Sequence, residues 1–176
     1  PGRVGYCVWC DDNGQVIDDG TIFHLKEGVY RLCSEERQLD WLTRSAFGFD
    51  VTIVEDTHDV AGLALQGPTS CAVLKAIGSA GVENLKPFEI GYHPFAGTEL
   101  TVSRTGFTGD LGYELWIDPA QALELWDALF DKGKIPDVRI IPHPDEAGAA
   151  IGASFLVDYD GKDGSVRAVA AVGAEP

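Results

Sequence analysis

The sequence predicts an α+β protein in which short antiparallel hairpins are interspersed with single helices. Two β-rich runs, residues 6–10 and 16–25, flank Asn13-Gly14, a dipeptide typical of hairpin turns. Two further runs, residues 99–103 and 112–117, flank a glycine-rich turn, and a helical pattern follows them. Strand–strand–helix units of this kind favour α+β layers over a parallel βαβ sheet.

The other elements follow in chain order. Residues 29–33 form a third short strand, and Ser34 suits the N-cap of a helix over residues 35–46. Residues 49–54 and 60–65 return to strand character, after which Gly67-Pro68-Thr69 begins a second helix, because Pro suits the first helical turn. A strand is also expected at residues 88–92, and a third helix at residues 118–130.

The end of the chain differs in character. Three prolines fall within residues 135–144, and small residues without periodicity close the sequence. We therefore expect a domain organisation of 1–133 as one region and 134–176 as a divergent, poorly ordered tail. The alternative is that residues 147–157 pack as a helix or strand against the helix that carries Trp126, since Ile151, Phe155 and Leu156 could be buried there.

The charge balance narrows the functional classes. The net charge is −15, from 28 acidic and 13 basic residues, which disfavours nucleic-acid and membrane-surface partners. No apolar run approaches the roughly 20 residues that span a bilayer, so we expect a cytoplasmic protein. The chain contains no Met and begins with Pro1, so we expect its N-terminus to be processed, trimmed or missing.

The cysteines predict no metal site. Cys7 and Cys10 have the spacing of a zinc knuckle, but no second pair accompanies them. They also lie in a predicted strand, where side chains three residues apart point to opposite faces. We expect buried or half-buried thiols without a metal.

Two short patterns carry weak chemical signals. Adjacent Asp18 and Asp19 point to opposite faces of a strand, so one carboxylate could look into a cavity and hold an amine or relay a proton. Two acidic residues at a bend are the simpler interpretation. Gln66-Gly67-Pro68 leaves free N–H groups at a helix start, which could seat an anion but more often only joins two elements.

The third pattern is stronger. Residues 103–115 read Ser-Arg-Thr-Gly-Phe-Thr-Gly-Asp-Leu-Gly-Tyr-Glu-Leu, and their three glycines allow the backbone to approach a ligand closely. Phe107 can stack on a flat heterocycle, and Glu114 can accept two hydrogen bonds from an amino-pyrimidine edge. The same residues would also make an ordinary hairpin turn.

Taken together and in order, residues 13–22, 64–70 and 103–115 resemble the glycine-cleavage T-protein family, from about Gly2 to Gly133. The resemblance implies a tetrahydrofolate-dependent aminomethyltransferase, which passes a one-carbon unit from a substrate amine to tetrahydrofolate. It implies part of the family's first domain and a ferredoxin-like second domain, with the C-terminal barrel absent. It assigns Asp19 to the reactive folate nitrogen, and Phe107, Glu114 and Arg104 to folate binding.

Departures from the family pattern leave alternatives open. Cys33-Ser34-Glu35-Glu36 replaces an Asn-containing turn, and Ala150 and Gly152 occupy the Arg and Glu positions of an Arg-x-Glu-Ala motif. A tetrahydrofolate-dependent O- or S-demethylase and a non-catalytic folate-binding module are the alternatives.

We expect a small-molecule one-carbon donor, and partner domains or chains beyond this sequence. We also expect little turnover by this chain alone, and the Asp19 and Glu114 carboxylates turned to a common side.

Overall fold

The computed structural model describes residues 1–36 and 38–131, and the backbone of three later strands. The chain divides into two compact units, Pro1–Asp56 and Thr57–Pro176. Every strand pair in the part of the chain so described is antiparallel, and helices are interspersed with the hairpins. The α+β prediction is confirmed.

The first unit is built on the predicted hairpin. Strands β1 (Arg3–Cys10), β2 (Val16–Lys26) and β3 (Val29–Ser34) form a sheet in that order. The Asp11 carboxylate stabilises the first turn by accepting the backbone N–H groups of Asn13 at 2.9 Å and Gln15 at 2.8 Å. Gly14 adopts a φ of 77°, which is the left-handed conformation that the predicted Asn-Gly turn requires.

Two predictions in this unit are wrong. Helix α1 (Leu39–Ser45) begins later than expected, because Ser34 is the last residue of β3 and its hydroxyl donates to the Glu36 carbonyl instead of capping a helix. Residues 49–54 form no strand, although their apolar alternation favours one. A strand needs a neighbouring strand to satisfy its backbone groups, and none is paired with this segment among the described residues.

The second unit contains a seven-stranded sheet in the order β5-β6-β7-β4-β10-β9-β8. Its first four strands are β4 (Ala61–Gln66), β5 (Ile90–Phe95), β6 (Thr98–Ser103) and β7 (Gly112–Ile117). The helices are α2 (Ser70–Ala76) and α3 (Ala122–Asp131), and Val82–Asn84 and Pro119–Gln121 form 3₁₀ turns. The remaining strands are β8 (Val138–His143), β9 (Ala153–Tyr159) and β10 (Ser165–Ala171).

Strand alternation gives β4, β6 and β7 two faces with different roles. One face carries the apolar core, where Leu63, Val102 and Leu115 pack with Val73 of α2 and Leu125 of α3. The opposite face carries Glu114 on β7, which is paired with Ser103 on β6 and with Ala64 on β4. Gln66 lies two residues further along β4, on the same face, and is paired with Gly112.

Strand β5 begins two residues later than the predicted run 88–92. Phe88 has a φ of 64°, which lies in the left-handed region and outside the extended conformation of a strand. Strand β10 pairs with β4 through Ala170–Leu63 and Ala171–Gly62. The predicted boundary after Gly133 falls in the second unit, and the expected poor order of residues 134–176 stays a prediction.

No described helix combines the length and apolar character needed to cross a membrane.

Candidate functional site

The strand-to-helix junction after β4 and the loop that joins β6 to β7 meet at one side chain. Gln66 ends β4 and is fully buried. Its amide nitrogen donates to the carbonyls of Thr105 and Tyr113, each at 3.2 Å. One amide therefore joins the start of residues 104–111, which we call the 104–111 loop, to the strand that follows it.

Two glycines make room for this amide. A Cβ atom added to Gly106 or Gly112 would collide with Oε1 of Gln66. The hydroxyl of Thr108 also lies 3.5 Å from the same oxygen. Two of the three glycines of the motif thus serve close packing around Gln66, whereas the sequence suggested only close approach to a ligand.

The junction itself is occupied by the protein. The backbone N–H of Gly67 donates to the Leu111 carbonyl, and the Ser70 hydroxyl lies 3.4 Å from the same carbonyl. These donors lie where the start of α2 could have seated an anion. The structural interpretation of Gln66-Gly67-Pro68 therefore accounts for its geometry.

Glu114 stands on the polar face of β7, at the end of a row of hydroxyls. The Thr105 hydroxyl donates to Oε2 of Glu114 at 2.5 Å, and the Ser103 and Thr105 hydroxyl oxygens lie 2.7 Å apart. Ser103 is fully buried and Thr105 nearly so. The chain thus supplies this carboxylate with a preorganised hydrogen-bond partner before any ligand is present.

Burial raises the pKa of Glu114, because removing a carboxylate from water disfavours its charged form. The hydroxyls of Thr105 and Ser103 act in the opposite direction, since hydroxyl groups beside a carboxylate, of which Thr105 is the direct donor, stabilise its charge. The neighbouring Tyr113 points into the core, where burial is the main cause that raises its pKa to about 12. Alternation along β7 therefore places the Tyr113 phenol on the core face and the Glu114 carboxylate on the opposite face.

The other two residues assigned to folate binding lie in the same loop. Phe107 is 79% exposed, so its ring is accessible to a ligand. The guanidinium of Arg104 donates to the Leu85 carbonyl at 2.7 Å, a contact within the protein. The backbone of Arg104 also exchanges hydrogen bonds with the segment before β5, through Phe88 and Glu89.

Asp19 lies in the first unit, on β2. Its side chain is exposed, so Asp19 is the solvated member of the acidic pair, whereas Asp18 is half-buried and its Oδ2 atom is buried. Tyr6 on β1 donates its hydroxyl to Oδ2 of Asp19 at 2.9 Å, and this hydrogen bond is the main cause of the raised pKa of Tyr6. The adjacent Asp18 accepts the backbone N–H of Asp19 at 2.8 Å.

The predicted site residues therefore fall in two groups. Phe107, Glu114 and Arg104 share one loop and its following strand, whereas Asp19 belongs to the other compact unit. The common side expected for the Asp19 and Glu114 carboxylates stays a prediction. Ala150 and Gly152 lie outside the described residues.

Sequence reasoning missed Thr105, Ser103 and Tyr6 as partners of the carboxylates. A signal for Ser103 was present, because it ends a predicted strand that lies next to the strand of Glu114, whereas Thr105 lies in the loop, where no periodicity predicts the direction of a side chain. Tyr6 would have required the exact hairpin register, in which Val8 is paired with Asp19 and Tyr6 with Thr21.

Comparison with known proteins places these residues in a family. The family model described as the GCVT N-terminal domain matches residues 1–143. An aminomethyltransferase of Halothermothrix orenii is 34% identical over 145 residues, which cover 80% of this chain and 40% of that protein. An aminomethyltransferase of Streptomyces avermitilis is 36% identical over 136 residues, covering 75% of this chain and 37% of the relative.

Among solved structures, the glycine cleavage system aminomethyltransferase T from Bartonella henselae superposes with a TM-score of 0.63 at 18% identity. The match covers 97% of this chain and 68% of that one, and at this identity it concerns the fold. Because the family model covers most of the sequence, including the Gln66 junction and the 104–111 loop, the chain belongs to the GCVT N-terminal domain family, whose matching relatives include aminomethyltransferases.

Proposed function

We propose that this chain binds tetrahydrofolate as part of a tetrahydrofolate-dependent aminomethyltransferase. The chain spans 37–40% of the length of the curated relatives it matches, so the activity of the whole protein is part of the proposal. The observation that carries the proposal is the Glu114 carboxylate on β7, partly buried and already hydrogen-bonded, within the matched region. A carboxylate fixed in this way suits a flat heterocycle that presents two adjacent N–H donors.

Glu114 and Phe107 would each have a physical role in such binding. Glu114 would accept the amino and ring N–H groups of the pterin, as charge-assisted hydrogen bonds with good directionality. Phe107 would stack on the ring, which removes apolar area of both partners from water. We assign this part of the second unit to the family's ferredoxin-like domain.

The transfer step would use the other unit. Asp19, with Tyr6 donating to one of its oxygens, would polarise the reacting groups beside the folate nitrogen. A small-molecule amine would supply the one-carbon unit, which passes to tetrahydrofolate. The exposed position of Asp19 leaves its carboxylate accessible to such a substrate.

A direct test is calorimetric titration of the whole chain with 5-formyltetrahydrofolate, a stable reduced folate. We expect binding, and a loss of about tenfold or more in affinity for Glu114→Gln, because an amide replaces one acceptor by a donor facing the pterin N–H groups. Glu99→Gln is the matched control, since Glu99 is an exposed residue of β6. Equal affinities for the wild type and Glu114→Gln would contradict the proposal.

The variant Phe107→Ala tests the proposed stacking residue separately. The Phe107 ring is 79% exposed, so we expect its removal to leave the stability unchanged. The affinity for 5-formyltetrahydrofolate should weaken by a few fold, in line with about 0.5–1.5 kcal/mol for an aromatic pair. Leu123→Ala is the control, because Leu123 on α3 is also 79% exposed. Similar affinities for the two variants would remove Phe107 from the site.

A further inference from the structure

We propose that Thr105, supported by Ser103, is a positioning residue that keeps Glu114 a hydrogen-bond acceptor for a ligand edge with two adjacent N–H donors. The ligand class rests on the proposed function. The effect of Thr105 on Glu114, in contrast, exists in the ligand-free chain and can be measured there.

The direction of the hydrogen bonds follows from counting protons. Each hydroxyl carries one hydrogen, and Thr105 uses its own to donate to Oε2 of Glu114. The 2.7 Å contact between the two hydroxyls must then be donated by Ser103 to Thr105. The chain of donors runs from Ser103 through Thr105 to Glu114, and it ends on an acceptor, as an ionised carboxylate requires.

Protonation of Glu114 would reverse this chain. A neutral carboxyl group could donate to Thr105, which would then donate to Ser103, and the carboxyl group would present fewer acceptor sites to a ligand. A hydrogen bond donated to a charged acceptor is stronger than one between neutral groups, so the buried hydroxyls favour the ionised, accepting form of Glu114. This bias matters because burial favours the neutral form.

The surroundings leave the hydroxyls as the main polar influence in the described part of this site. Directly opposite Glu114 lie Ala64 on β4 and Ser103 on β6. The guanidinium of Arg104 donates to the Leu85 carbonyl. Burial is the first cause of the raised pKa of Glu114, and the Thr105 and Ser103 hydroxyls are the groups that lower it.

The first measurement follows the Glu114 side-chain carboxyl carbon by NMR across a pH titration of the ligand-free whole chain. The resonance is assigned by its loss in Glu114→Gln. We expect a higher pKa for Glu114 in Thr105→Val, which keeps the side-chain shape but lacks the hydroxyl, and a value close to wild type in Thr105→Ser. Thr101→Val is the matched control, because it removes a hydroxyl from β6 outside this hydrogen-bonded row.

The second measurement is the affinity for 5-formyltetrahydrofolate between pH 5 and pH 8. We expect Thr105→Val to bind about tenfold more weakly than wild type near neutral pH, the scale of a lost hydrogen bond to a charged group. The deficit should shrink as rising pH ionises Glu114 in the variant. A merely structural role for Thr105 would weaken binding by the same factor at every pH.

An unchanged Glu114 pKa in Thr105→Val would overturn the proposal, as would an affinity loss independent of pH. If wild type does not bind the folate but the Glu114 pKa rises in Thr105→Val, the positioning role stands and the proposed function fails. If wild type binds the folate but the Glu114 pKa does not move, the proposed function stands and the positioning role fails.

Discussion

Glu114 and Asp19 are both carboxylates on β-strands, and both accept a hydrogen bond from a side-chain hydroxyl, but the two compact units treat them differently. The donor to Glu114 is nearly buried and is itself supported by a fully buried serine. The donor to Asp19 is Tyr6, which is 63% exposed. The hydrogen-bond donor to Glu114 is thus a buried hydroxyl, whereas the donor to Asp19 is an exposed one.

This difference decides what each site can maintain without a ligand. Hydrogen bonds among buried groups are costly to break, because water does not replace the lost partner. Exposed pairs exchange freely with water and contribute little to stability. The second unit can therefore keep Glu114 oriented in the free protein, while the exposed Asp19 side chain can reorient in water.

The largest effect should come from disturbing the interior support of the 104–111 loop. Gly112→Ala places a Cβ against Oε1 of Gln66, and we expect it to lower the free energy of unfolding by about 1–3 kcal/mol, as overpacked cores do. Urea denaturation would measure the loss. Gly5→Ala is the control, because an added Cβ there meets nothing within 4 Å.

The same substitution in a Gln66→Ala background should cost less than in wild type, because the colliding side chain is gone. Equal costs in the two backgrounds would show that Gly112 is required for a reason other than room for Gln66.

Arg104→Ala should have the next largest effect. Its guanidinium donates to the Leu85 carbonyl, and losing that partly buried hydrogen bond should cost about 1 kcal/mol of stability in urea denaturation. Arg44→Ala is the comparison, since the exposed Arg44 donates to the Asp40 carbonyl of its own helix at 3.1 Å. Reduced folate affinity with full stability would instead mean that Arg104 serves the ligand.

The pH dependence of the free energy of unfolding should reveal the effect of burying the Glu114 carboxylate. Burial raises the folded-state pKa of Glu114 above its ordinary value of 4.5. Its contribution to stability is therefore fully present below pH 4.5 and is lost as pH rises through the raised pKa. We expect the stability of Glu114→Gln relative to wild type to increase over that window.

Urea denaturation at a series of pH values would follow this difference, with Glu99→Gln as the surface control. A difference that stays constant with pH would mean that Glu114 is as well solvated when folded as when unfolded.

The smallest effect belongs to the exposed pair. Asp19→Asn removes the negative charge that accepts the Tyr6 hydroxyl, so the pKa of Tyr6 should fall toward its ordinary value of 10.0. Tyrosine ring-carbon NMR can follow this titration, and Tyr113, whose pKa is raised to about 12 by burial in the other unit, serves as an internal reference. The thermal midpoint should not change, and Asp12→Asn should leave Tyr6 unaffected.

Local patterns predicted much of this fold because the features they describe are local. The Asn13-Gly14 turn, strand β7 and helix α3 depend on neighbours close in sequence, and the structure confirms them. The strand predicted at residues 49–54 is wrong, because apolar alternation specifies which side chains share a face, but not whether another strand lies beside them.

The candidate site was predictable in part. The 103–115 motif pointed to Glu114 and Phe107, whose binding role stays a prediction, but it did not indicate the contact of Gln66 with carbonyls 39 and 47 positions further along the chain. Such contacts follow from sheet pairing, here that of β4 with β7, and single-sequence patterns do not specify which distant strands pair.

The long reach of Gln66 also has a consequence for how the molecule is made. The 104–111 loop is held by the side-chain amide of Gln66, which lies on a strand distant in sequence. The loop can therefore reach its final conformation only after β4 and β7 have paired. An isolated peptide of residues 103–115 would lack that amide and would not retain the loop geometry. During synthesis, β4 leaves the ribosome before β7. Gln66 can therefore make its hydrogen bonds to the loop only after β7 has also been synthesised.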